Sequence, residues 1–158
     1  MAAKDKLKPI VLNLVNKKAR FDFEFIDTFT AGIILAGTEV KAVREAKVSM
    51  VDAYCYFVKG ELFVKNLHIG EYKHGNIYNH EPLRVRKMLL NKKELKKLES
   101  KIKEKGLTII PYKVFLSDRG IIKVEIALAK GKKSFDKRET LKTRDNDLMI
   151  KKVLNQRR

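Results

Sequence analysis

A chain of 158 residues, 44% of them hydrophobic, has room for one domain with a core and a tail. Its 36 Lys and Arg against 19 Asp and Glu leave a formal charge of +17, more than solubility asks of such a surface, so the partner to look for is a polyanion such as nucleic acid. A single cysteine excludes an internal disulfide and fits a reducing compartment. The opening Met-Ala-Ala-Lys-Asp-Lys leads into no apolar run long enough for a signal peptide or membrane span, so a cytoplasmic protein is expected.

The first strand is predicted over residues 8–15, where Pro9 opens Ile-Val-Leu-Asn-Leu-Val. Residues 16–20, Asn-Lys-Lys-Ala-Arg, read as a polar, basic turn. From Phe21 to Phe29 the residues alternate, with Phe21, Phe23 and Phe25 pointing one way, the period of a half-buried strand. Ala31-Gly32 then permits a bend or bulge. Residues 37–46 read as a turn opening a short helix, with Thr38 as N-cap, Val40 and Val43 on the apolar side and Lys41 and Arg44 exposed. Two apolar runs, 54–58 and 61–67, meet across Lys59-Gly60 as a hairpin, and Cys55 reads as core. The clearest helix follows Leu90. Asn91 and Glu94 form a capping box, Leu95, Leu98 and Ile102 share one face, and Gly106 ends it. Residues 107–116 and 121–129 pair as a last hairpin, with Pro111 marking an edge or a bulge.

Strands in sequence, with a helix before the last pair, suit a mainly β fold: an OB-type closed barrel with flanking helices over residues 1–130. An open α+β sheet fits the same pattern. Residues 130–158 hold 11 Lys and Arg against 4 Asp and Glu, with no apolar face of useful size. Residues 131–158 are therefore expected to form a basic tail, disordered when free.

Motifs for catalysis are absent: no Walker loop, no dinucleotide-binding glycine pattern and no nucleophile elbow. His68, His74 and His80 recur at intervals of six without a cysteine pair, a weak metal signal. No catalytic residue, metal or cofactor is expected. Glu39 is a lone carboxylate, suited to accept from a neighbouring Arg or from an RNA amino or hydroxyl group. Tyr54 and Tyr56 lie in a strand run, and if they face outward they can stack on a base. A binder of RNA is the reading. The alternatives are a general RNA-binding OB module, which binds many RNAs alike, and an RNA-processing enzyme, which shows metal-dependent turnover.

Four stretches together carry a resemblance: Asn16-Lys17-Lys18-Ala19; Ala31-Gly32 with Gly37-Thr38-Glu39-Val40-Lys41 and Arg44; Pro82-x-Arg84-x-Arg86-Lys87-x-Leu89-Leu90; and Ala129-Lys130-Gly131-Lys132-Lys133 with Asp136-Lys137-Arg138. In that order and spacing the chain resembles the SmpB family, small proteins that bind tmRNA. The resemblance implies an OB-type barrel gripping the tRNA-like domain of tmRNA, and a tail that enters the ribosome and stands in for the codon–anticodon contact in trans-translation. It implies RNA-binding roles for Asn16, Lys17, Lys18, Glu39, Lys41, Arg44, Tyr54, Leu89 and Lys123. It implies ribosomal contacts for Gly131, Lys132, Lys133, Asp136, Lys137, Arg138, Lys142 and Arg144. The expected partners are tmRNA and ribosomal RNA, the expected free state a monomer, and no membrane is involved. Thr30 departs from the pattern, which favours an acid there, and Met88 stands where Leu is usual.

Overall fold

The computed structural model describes residues 12–104 and 106–156, so residues 8–11 of the predicted first strand lie outside the description. The rest of that strand is β1 (Asn13–Val15). The segment expected to be a turn is instead a helix, α1 (Lys17–Asp22). Asn16 starts it: its Oδ1 accepts from the Ala19 amide at 3.1 Å, satisfying a donor that the first turn would otherwise leave open. The long alternating strand is β2 (Phe23–Ile33), followed by α2 (Gly37–Arg44) and the two-residue β3 (Val48–Ser49).

The predicted hairpin is β4 (Tyr54–Val58) and β5 (Glu61–Lys65). Lys59 and Gly60 both take positive φ, 50° and 78°, as a two-residue turn between right-twisted strands requires. Short β6 (His68–Ile69) pairs with β3, and β7 (Arg86–Leu89) leads to α3 (Lys92–Ile102). The Asn91 amide donates to Glu94 Oε2 at 3.1 Å, one half of the predicted capping box. The last hairpin is β8 (Leu107–Leu116) and β9 (Ile122–Gly131), and its register slips between Pro111 and Lys113, so Pro111 does mark a bulge.

The strand order β8-β4-β5-β7-β2-β9 returns to β8, because β8 pairs with β4 on one edge (Cys55 opposite Ile109) and with β9 on the other. Six strands thus form a ring and β1 adds outside it, so the open sheet is ruled out. Leu62, Val64, Met88, Ile109, Ile126 and Leu128 fill the ring, and Val43 of α2 and Leu98 of α3 join the same core. A second, smaller core lies on the outer face, where Ala19 of α1 covers Ile110, Tyr112, Ala127 and Ala129, with Phe23 and Phe25 beside them.

One bulge makes both cores possible. Pairing of β2 with β9 skips a residue between Phe25 and Asp27, which reverses the facing of everything after it. Phe23 and Phe25 therefore pack under α1, whereas Phe29, Ala31 and Ile33 pack into the ring.

The tail is not the disordered arm expected from its charge. It forms α4 (Ser134–Gln156), and Gly131 belongs to the body, ending β9 opposite Phe23. After Gly131 no glycine or proline follows, and most residues are good helix formers. Asp136 Oδ2 accepts from the Lys133 amide at 3.2 Å, capping the first turn.

Leu128 is wholly buried, so Leu128→Ala is expected to cost about 2–5 kcal/mol, read by urea denaturation of the variant against the parent chain.

Candidate nucleic-acid interface

The residues expected to meet RNA fall in three places. The first is a cleft of about 250 Å³ between α1, the start of β4 and β8. Asn16, Lys18, Asp52, Tyr54 and Thr108 line it with apolar Ala19, Phe23, Ala53 and Ile110. Tyr54 is 38% exposed and its ring lies 6.1 Å from that of Tyr56, which leads on to Phe63 at 6.2 Å. Lys18 Nζ meets Asp52 Oδ1 at 3.0 Å at the mouth. Asn16 is held at both ends of its amide: besides capping α1 through Oδ1, its Nδ2 donates to the Met50 carbonyl at 2.9 Å. It holds α1 against the 48–53 turn and so positions exposed Lys17 and Lys18.

The second place is a row across the sheet. Gly32 lies opposite Leu89 on one side and Lys123 on the other, and Lys123 lies opposite Phe115. Residues 34 positions apart thereby share one outward row, with Leu89 49% exposed. A Cβ on Gly32 would stand 3.3 Å from that of Leu89, so glycine here leaves the row flat and lets the strands approach. One step along, Thr30 lies opposite Glu125. Glu125 accepts from Tyr112 at 2.6 Å and Lys113 at 3.2 Å. Burial, together with the bond to Glu125, pushes the Tyr112 hydroxyl up to about 12, so it remains a donor.

The third place is α2, where Lys41 and Arg44 are exposed as expected. Two expectations for this helix need correction. Thr38 is not its cap: the preceding residue, Ala36, donates its amide to Glu39 Oε2 at 2.6 Å, and the Thr38 hydroxyl lies 3.0 Å from His80 Nδ1. Glu39 is not a surface contact, being wholly buried. Arg86, also wholly buried, donates Nε to Glu39 Oε1 at 2.7 Å, and Arg84 donates an Nη to Oε2 at 2.6 Å. Arg86 spends its other donors on the carbonyls of Leu67, Arg84 and Pro82 at 2.6, 2.8 and 3.1 Å. Burial acts to raise the Glu39 carboxyl, but the bonds from Arg84, the Ala36 amide and Arg86 outweigh it and hold it below the usual carboxylate range. Of the two readings open for Glu39, acceptor for a neighbouring Arg is the observed one.

Arg84 and Arg86 were recognised as landmarks but given no role. Their spacing of two was the available signal, since it puts both on one side of a strand. Asp22 gave no signal at all. Its Oδ1 holds Lys137 Nζ at 3.0 Å and its carbonyl accepts from the Lys132 amide at 2.9 Å, fastening the base of α4 to α1. Lys133, Arg138, Lys142 and Arg144 are exposed, and Asp136 is occupied in capping.

The histidines do not converge: His68 and His74 are exposed, while His80 is buried with ring nitrogens near Thr38 Oγ1 and the Ile69 carbonyl. Burial pushes the Cys55 thiol far up, which makes it a poor nucleophile. Among the described residues no helix is long and apolar enough to cross a membrane.

A ring of strands with a cleft beside α1, a flat row carrying Lys123 and an exposed helix carrying Lys41 and Arg44 suits a binding module for a polyanion. Its residues 13–156 match the model of the SmpB protein family, and the chain belongs to that family. Proteins named SsrA-binding protein are similar along nearly its whole length. That of Phocaeicola vulgatus is 57% identical over 140 residues, 89% of this chain and 93% of the relative. That of Cytophaga hutchinsonii is 50% identical over 153 residues, 97% and 99% of the two chains. A solved structure described as "tmRNA-SmpB: a journey to the center of the bacterial ribosome" has a TM-score of 0.67 at 45% identity, covering 78% of this chain and 86% of that one.

Removing Glu39 strands a buried guanidinium, so Glu39→Ala is expected to cost about 3–5 kcal/mol, with Arg86→Met in the same chain recovering part of it in a thermal melt. Because the folded-state pKa lies below the ordinary 4.5, the pair's contribution is complete above that value and is lost as pH falls through the lower folded one. Denaturation of the parent chain and Glu39→Gln should therefore differ at neutral pH and converge on acidification.

Proposed function

We infer that this protein binds tmRNA and acts with it on the ribosome in trans-translation, the rescue of stalled ribosomes. The observation that carries this is family membership across residues 13–156 with relatives that are SsrA-binding proteins, joined to a cationic site of matching chemistry. The tRNA-like domain of tmRNA is the part bound. We read the ring as OB-type, in which an outer strand face and its adjoining loops meet the nucleic acid. Lys17, Lys18, Lys41, Arg44 and Lys123 neutralise phosphates and set register, Tyr54 stacks on a base at the cleft, and Leu89 packs against a sugar or base edge. Asn16 and Glu39 work behind that surface, one holding α1 and the other α2 and β7. The protein is a binder without catalysis, a monomer when free, and works in the cytoplasm where its partners are.

The body and α4 divide the labour. The segment from Gly131 through Lys132, Lys133, Asp136, Lys137 and Arg138 to Lys142 and Arg144 enters the decoding and mRNA-channel region, where its cations meet ribosomal RNA. Charge-assisted contacts of this kind contribute about 1.5–3 kcal/mol each. Lys137 must leave Asp22 to join them.

If about six phosphates are neutralised, a plot of log affinity for the tRNA-like domain against log salt should slope at about −4 to −5, and a flat plot would remove the electrostatic basis of the reading. Truncation after Gly131, or alanine at Asp136, Lys137 and Arg138 together, should leave the body folded and RNA affinity only modestly reduced while abolishing tagging on stalled ribosomes. Equal loss of both activities would show that the tail is simply part of the RNA-binding surface.

A further inference from the structure

The two most exposed large apolar side chains among the described residues are neighbours, Ile77 at 88% and Tyr78 at 83%. They sit in a single 3₁₀ turn, Asn76–Tyr78, at the tip of the 70–82 loop between β6 and β7. This tip is braced. Asn79 Nδ2 donates to the Tyr72 carbonyl at 2.8 Å and its Oδ1 accepts from the Tyr72 amide at 3.1 Å, closing the loop at its neck. Inside the neck the Gly75 and Tyr78 amides donate to the Tyr72 and Gly75 carbonyls at 2.9 and 3.0 Å.

The braced loop is also fastened to α2 and the turn after it. Lys41 Nζ lies 5.1 Å from the Tyr72 ring centroid, a cation–π contact, and the Gly70 amide donates to the Lys47 carbonyl at 2.9 Å. The charge around it is mixed: Lys41 and Lys73 adjoin the neck, Glu71 and Glu81 are exposed at the two ends of the loop, and Glu45 is taken up by Lys47 at 2.7 Å. Two apolar side chains on one turn are far too small a patch for a stable protein–protein interface, which buries about 800 Å² on each side. They are the right size for one nucleotide. An aromatic ring fixed on a braced turn, with Lys41 and Lys73 at its neck, stacks on a base without the entropy cost of ordering a floppy loop.

We propose that the 70–82 loop is a nucleotide-stacking element, in which Tyr78 stacks on an unpaired base of the bound RNA, Ile77 packs beside it, and Lys41 and Lys73 neutralise the flanking phosphates. This rests on the reading that the chain binds a structured RNA, and extends the contact surface beyond the cleft and the Leu89–Lys123 row.

The chain contains no tryptophan, so Tyr78→Trp places a single indole at the tip. Titrated with the tRNA-like domain of tmRNA, its fluorescence should be quenched with the same midpoint that an independent binding assay gives. Tyr78→Ala should weaken that RNA by roughly 5- to 150-fold, the factor carried by one stacked base, with the melting temperature unchanged. Lys123→Ala serves as the control on the face proposed above. If Lys123→Ala weakens binding while Tyr78→Ala stays within twofold and the indole is not quenched, the loop proposal falls and the RNA reading stands. If the full-length parent chain does not bind this RNA in preference to bulk tRNA, the RNA reading itself falls. An indole signal that responds to ribosomes but not to the RNA also overturns the proposal, making the tip a ribosomal docking point.

Discussion

The buried pair of Glu39 and Arg86 is the constraint on which the binding surface rests. Removing two charges from water costs several kcal/mol each, and attraction between them offsets this only if the remaining donors and acceptors are satisfied. Here they are: the carboxylate takes the Ala36 amide and both arginines, and the guanidinium takes three carbonyls besides. Those partners come from three parts of the chain: Ala36 before α2, Leu67 after β5, and Pro82 and Arg84 leading into β7. The pair thus locks α2, β7 and the segment after β5 into one arrangement, and with them the directions in which Lys41, Arg44 and the 70–82 loop point. A pair of this kind contributes less to net stability than to uniqueness, because any other packing leaves a charge uncompensated.

A second constraint divides the outer face of the ring. Irregularities at Ile26 in β2 and at Tyr112 in β8 fall on the two strands that flank β9. On one side of them the outer face is apolar and α1 covers it. On the other it stays open as the row of Leu89, Gly32, Lys123 and Phe115. α1 becomes the joint of the molecule. Its start carries Lys17 and Lys18 beside the cleft, and its last residue, Asp22, holds the base of α4. The cations beside the cleft and the placement of the tail therefore share a six-residue helix.

Charge explains how such a small body can serve the two large RNA partners proposed for it. The field of an excess of +17 draws a polyanion from any direction, and the few fixed groups then choose the register. The tail needs little core for this. As a helix it presents cations on most sides, and its hold on the body beyond the backbone is the contact of Lys137 with Asp22 and of Lys132 with the carbonyls of Arg20 and Asp22. Contacts of that size are readily exchanged for stronger ones to phosphate.

How much was legible in the chain followed the range of the interaction. Lys59-Gly60, the capping box of Asn91 and Glu94, the slip at Pro111 and the outward α2 cations are written in neighbouring residues, since turns, caps and helix faces depend on partners within about four positions. The polyanion reading came from composition alone. Helix α1 and the helical tail were missed where weight was given to polarity rather than to a cap at Asn16 and to intrinsic propensity after Gly131. Ring closure by Cys55 against Ile109, and the reversal of β2 at Ile26, left no local mark. Nor did the burial of Glu39, whose guanidinium partners lie 45 and 47 positions away, or the hold of Asp22 on Lys137, 115 positions away. The hairpins, α2, α3, the charge and the family resemblance were set by the sequence alone, because those need only near neighbours or recurring motifs. Which side chains stand exposed and which stay behind the surface was decided by the tertiary structure, because burial depends on contacts that exist only once the ring has closed.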